Sequence, residues 1–189
     1  MNVSAVSRFT RRPRKARIAT ALLTLAALTA CGEQPAGGAD AAPTTSFTEN
    51  GVTVTLSLSD WQARNGTLTA VFTPEEGFHL YSTDLPPTGI EGVGRPTAMD
   101  VTGVLKAGGK LAAAAEVRTI SLPGVDAPVP VYPDGPVTTT LPVRADGNGE
   151  ATVLLGYASC NEREGCTIPV SDRPVHLRIT DDGPAFADR

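Results

Sequence analysis

The chain predicts an all-β antiparallel sandwich, and three observations predict it. Val52, Val54, Leu56 and Leu58 alternate with Thr53, Thr55 and Ser57, and a period of two puts the four apolar side chains on one face of a strand. Short β-rich segments then recur between Asn65-Gly66, Pro86-Pro87, Gly108-Gly109, Asp134-Gly135 and Asp146-Gly147, dipeptides that favour turns. Only residues 110–116, Lys-Leu-Ala-Ala-Ala-Ala-Glu, have helical composition, and so short a run is marginal alone, so it reads as one helical turn or a strand lead-in. Many short strands with regular turns are the pattern of two packed antiparallel sheets.

Taken in order, residues 1–30 carry six basic side chains (Arg8, Arg11, Arg12, Arg14, Lys15, Arg17), no acidic one, and an apolar run from Ile18 to Ala30. That is an export signal, too short for a comfortable membrane span. It ends in Leu28-Thr29-Ala30-Cys31, which resembles the bacterial lipobox and makes Cys31 the expected lipidation site. An ordinary cleaved signal or an uncleaved anchor are the alternatives. Residues 31–46 are rich in Gly, Ala, Pro and Thr and read as a flexible tether. Residues 47–180 are enough for one domain with a sizeable core, and residues 181–189 read as a frayed tail.

Inside the domain, further strands are expected over residues 67–73, 78–81, 98–105, 117–122, 129–132, 137–143, 151–157, 167–170 and 175–179. The whole chain has 16 basic and 20 acidic residues. Without the six basic residues of the signal, 10 basic remain against 20 acidic, a net charge of −10. Nucleic acid is excluded as a partner by that balance, as is a polybasic membrane patch, which leaves the lipid as the tether. The expected place is the extracytoplasmic face of the cell membrane, where disulfides persist.

With Cys31 assigned to the lipid, Cys160 and Cys166 remain. They flank a loop between apolar, β-rich segments, a hairpin mouth where facing cysteines come within bonding reach. Five intervening residues do not make a C-x-x-C redox motif and fit zinc spacing poorly. A seven-residue loop gains only about 2.4 kcal/mol from closure in the chain-entropy model, a modest staple. A static bridge and a reversible one are both open on these residues.

Tyr157-x-x-Cys160-x5-Cys166-x-x-Pro169 resembles the cysteine hairpin of the periplasmic N-terminal domain of the DsbD thiol:disulfide interchange proteins. Gly77-Phe78-His79-Leu80-Tyr81 is similar to that domain's aromatic strand motif, and Val131-Tyr132 with Leu141-Pro142-Val143 to the segment leading to its cysteines. The resemblance implies an immunoglobulin-like sandwich and a thiol:disulfide oxidoreductase-type carrier with Cys160 and Cys166 as the exchanging pair. It implies His79 and Tyr81 as support of the cysteine pocket. A cap loop falls at Val125, Asp126, Ala127 and Pro128, lacking the family's aromatic ring. The implied partners are a thioredoxin-like extracytoplasmic protein and a CcdA-like membrane electron transporter; no cofactor is implied. The competing class is a non-enzymatic lipoprotein binding module with a structural disulfide.

A metal site built from Cys160, Cys166 and His79 or His176 lacks any close C-x-x-C or H-x3-H pair, and Met99 is the one methionine after the signal. No metal is therefore expected. Nor does a G-x-S-x-G elbow mark a hydrolase nucleophile.

Overall fold

The computed structural model describes residues 42–187; the expected signal, Cys31 and most of the tether lie outside them. Fifteen strands follow in order: β1 (Thr44–Glu49), β2 (Val52–Gln62), β3 (Asn65–Pro74), β4 (His79–Leu80), β5 (Ala98–Gly103), β6 (Leu105–Ala107), β7 (Ala112–Ala113), β8 (Arg118–Ile120), β9 (Val129–Val131), β10 (Val137–Ala145), β11 (Gly149–Tyr157), β12 (Ser159–Asn161), β13 (Gly165–Cys166), β14 (Val170–Thr180) and β15 (Gly183–Phe186). Every pairing among them is antiparallel, and the described residues contain no helix.

Two sheets enclose the main core. One runs β1-β2-β3-β10-β6, with β7 also on β10; the other runs β15-β14-β11-β5. The alternation read from Val52 to Leu58 is realised, with Val52, Val54, Leu56 and Leu58 buried and the residues between them half-buried. They share one apolar cluster with Val153, Leu155, Leu177 and Ile179 of the opposite sheet, so the fold is the expected all-β, immunoglobulin-like sandwich. Both layers need the other to hide their apolar faces from water.

Several boundaries differ from the sequence expectation, each for a tertiary reason. The segment expected as tether already enters β1 at Thr44, because Phe47 is buried in the core and the ladder to β2 runs from Glu49↔Val52 out to Thr44↔Ser57. Asn50 and Gly51, both at positive φ, close that hairpin with a tight two-residue turn. The β2–β3 turn falls at Ala63 and Arg64, while Asn65-Gly66 opens β3; Gly66 lies beneath Trp61, where a Cβ would come within 2.8 Å of the ring. The expected frayed tail contributes β15, which pairs with β14 and packs Phe186 against the core. Residues 110–116 yield β7 on the edge of β10. The single strand expected over residues 98–105 divides at Val104, so that β5 and β6 serve opposite sheets.

Candidate functional site: a disulfide hairpin with a buried tyrosine

Beyond the sandwich, β13-β12-β4 form a small sheet of their own, and β8-β9 a ribbon. The bridge Tyr81↔Val131, with the Tyr132 N–H donating to the Leu80 carbonyl at 2.8 Å, ties the two together. Alternation from β4 into the next residue then divides the side chains: Leu80 enters the main core, whereas Tyr81, just beyond the strand, joins a second apolar cluster with Leu85, Val129, Val131, Ala158 and Cys160.

Cys160 and Cys166 face each other across β12 and β13 and are bonded, with their Cα atoms 4.0 Å apart. The strand expected over residues 167–170 does not form; β13 ends at Cys166 and the next strand starts at Val170. Main-chain and side-chain bonds hold the hairpin independently of the sulfur bridge. The Thr167 N–H donates to the Ser159 carbonyl at 2.9 Å. At the tip, the Asn161 carboxamide oxygen accepts the Arg163 N–H at 2.8 Å, and its NH2 donates to the Gly77 carbonyl at 2.8 Å. Asn161 thus builds the turn and clamps it to the β3–β4 connection, a role for which an Asn next to a charged tip is the sequence signal.

The two cysteines have unlike surroundings. Cys160 is 5% exposed, whereas Cys166 is exposed. Cys160 is covered on its apolar side by the second cluster, to which Val125 of the expected cap loop contributes its side chain. Asp126 is exposed and its N–H donates to Glu91 Oε1 at 3.0 Å, which fastens the loop to the 85–93 segment; Ala127 and Pro128 are exposed. The cluster that holds Cys160 has Val125, Ile90, Ile120 and Leu122 packed against it.

Tyr81 lies 1% exposed with its hydroxyl 2.9 Å from Cys160 Sγ and 3.6 Å from Cys166 Sγ. A disulfide carries no hydrogen, so the phenol donates. Burial pushes the Tyr81 pKa above its ordinary value, which keeps it a donor through neutral and mildly alkaline pH. Gly94, at positive φ, passes so close to this ring that a Cβ would sit 2.7 Å from it. Tyr157, the tyrosine of the cysteine motif, serves elsewhere: its hydroxyl donates to the Glu49 carbonyl at 3.3 Å.

His79 is the β4 residue opposite Cys160, which places His79, Cys160 and Cys166 in one cross-strand row on a single face. It is 4% exposed, edge-on to the Tyr81 ring, and its Nε2 has no hydrogen-bond partner. Its Nδ1 lies 3.8 Å from Asp134, which pairs with Arg118 at 2.8 Å. Burial first and Arg118 second lower the His79 pKa, partly offset by Asp134 and Glu162. These side chains, with Asn161 and Arg163, line a cleft of about 300 Å³ beside the hairpin. Neither Arg118 nor Asp134 was legible as a site residue, because each acquires its place only through the β8–β9 ribbon. Among the described residues, no group of three or more His, Cys, Asp or Glu side chains is placed to hold a metal.

No family model matches the chain, and no curated protein matches its sequence. Among solved structures, the crystal structure of the Neisseria meningitidis DsbD N-terminal domain in the reduced form is similar at 16% identity and a TM-score of 0.44, over 72% of this chain and 90% of that one. The likeness lies at the level of the fold.

Proposed function

We propose that this chain is an extracytoplasmic thiol:disulfide interchange carrier that works through a reversible Cys160–Cys166 bond. The observation that carries the reading is the Tyr81 hydroxyl aimed at Cys160 Sγ from inside an apolar cluster. A neutral disulfide sulfur is a weak acceptor and gains little from such a donor. A thiolate on the same atom gains much more, since hydrogen bonds to charged groups are about twice as strong, and a donor preplaced where charge develops lowers the barrier to forming it. In a static staple the same contact would only satisfy a buried phenol.

Exposure decides the order of events. A reduced partner's thiolate attacks the accessible Cys166 Sγ; the Cys160–Cys166 bond breaks as the partner–Cys166 bond forms, and the electron pair leaves on Cys160 Sγ, where Tyr81 donates to it. The partner's second thiol then attacks the partner's own bonded sulfur and releases Cys166. Two electrons have moved from the partner's dithiol to the pair, and the two protons it gave up return to the two sulfurs through solvent. Delivery to an oxidised thiol protein is the reverse sequence. The hairpin stays in place throughout because Asn161, Thr167 and Ser159 hold it without the sulfur bond.

A thioredoxin-like protein supplied by a CcdA-like membrane transporter is the reductant we propose, with Cys31 carrying the lipid that keeps the domain at the membrane. Single variants test the exchange. Cys160→Ser removes one of the two thiols that can release a mixed disulfide at the exposed Cys166. Offered a thioredoxin-like protein whose second cysteine is also replaced by Ser and whose remaining thiol is activated as a thionitrobenzoate disulfide, it should displace the thionitrobenzoate and accumulate a reductant-sensitive adduct, whereas Cys166→Ser leaves a buried thiol and should trap far less. If both variants fold and neither captures a partner that is present, the disulfide is structural and the chain is a binding module.

A further inference from the structure

Two large apolar side chains stand exposed among the described residues: Val117 at 45% and Ile168 at 75%. Single exposed apolar residues are ordinary, but Ile168 differs in place and in fixation. It sits two residues beyond the exposed Cys166. Its carbonyl accepts the Asn50 side-chain NH2 at 2.9 Å, and Asn50 is itself set in the tight β1–β2 turn. Thr167, the residue before it, is tied to a different element: its N–H reaches the Ser159 carbonyl at 2.9 Å, and its hydroxyl accepts the Ser159 N–H at 3.2 Å. Pro169 follows and fixes its own φ. The backbone around an exposed isoleucine is thus held from two sides, so covering that side chain costs little further ordering.

Buried Cys160 leaves Cys166 as the sulfur that an incoming thiolate can reach. A protein bringing its sulfur in line with the bond at Cys166 must cover the surface immediately beside it, and that is where Ile168 stands. We infer that Ile168 is the apolar anchor by which this domain docks a protein dithiol, entering an apolar depression next to the partner's reactive sulfur. Such anchors, rigid and desolvated on contact, dominate protein–protein recognition. The inference rests on the exchange function proposed above and adds to it the feature that distinguishes a protein reductant from a small one.

The test compares two reductants on the oxidised full-length chain: reduced thioredoxin as the protein dithiol and dithiothreitol as the small one. Ile168→Ser and Ile168→Asp should each slow reduction by thioredoxin about tenfold, the size of an anchor lost. Reduction by dithiothreitol should stay within about twofold, as for any exposed substitution. Ile168→Val should keep most of the thioredoxin rate. Equal slowing with both reagents, or none with thioredoxin, overturns the anchor while leaving exchange standing. A folded wild type inert to thioredoxin removes protein docking, and one inert to both reagents removes the exchange function with it.

Discussion

Replacing Tyr81 by Phe removes one oxygen, the one 2.9 Å from Cys160 Sγ, and leaves the ring in its cluster. A hydrogen bond to a charged acceptor contributes about 1.5–3 kcal/mol. If roughly half of that is realised when half a charge has developed on the departing sulfur, the barrier rises by about 0.8–1.5 kcal/mol and reduction slows roughly 4–12-fold. The oxidised fold should lose less, under about 1 kcal/mol, since the bond broken there is to a neutral, weak acceptor. The assay follows reduction by excess dithiothreitol, a reagent too small to depend on docking, with thiols trapped by alkylation and resolved on gels. Urea unfolding of the oxidised protein runs beside it. Tyr132→Phe is the control, because the Tyr132 hydroxyl meets Thr83 and neither sulfur; it should alter stability without altering the reduction rate. A Tyr81→Phe rate within about twofold of wild type, or a slowing matched by an equal loss of stability, would refute the claim that this hydroxyl serves the leaving thiolate.

Two further outcomes follow from the same geometry and from the expected leader. His79 holds its pKa below 6.5 in the fold, so as pH falls the unfolded chain takes up this proton first. Its neutral form therefore supports the fold fully above pH 6.5, and that support declines as pH drops from 6.5 toward the lowered folded value. His79→Gln should flatten this part of the plot of urea midpoint against pH, and an unchanged slope would show that the titration belongs to another group. Cys31→Ser, expressed in the native host, should move the protein out of the membrane fraction with loss of the lipid mass; retention in the membrane would make the leader an uncleaved anchor.

Local repetition is what the residues alone made legible. The two-residue period from Val52 to Leu58 specified a face, and the fold buries it. Two cysteines separated by five residues and flanked by β-rich segments implied a hairpin mouth where they face each other. Those inferences need only the geometry of an extended chain, which a run of a few residues reveals. Relations between distant segments came only with packing. Tyr81 and Cys160 lie 79 positions apart and Asn50 and Ile168 lie 118 apart, separations that no local pattern encodes. The same cause explains the boundaries that moved. Phe47 and Phe186 turn expected tether and tail into β1 and β15 because both rings pack in or against the core, and the chain changes sheets at Val104 because β5 pairs with β11 and β6 with β10. Even the unequal exposure of the two cysteines, on which the order of exchange depends, reflects the cluster in which Cys160 lies with Tyr81, Leu85, Val129, Val131 and Ala158. Burial belongs to the packed layers as a whole, so a residue's access to water is settled only once segments far apart in the chain have come together.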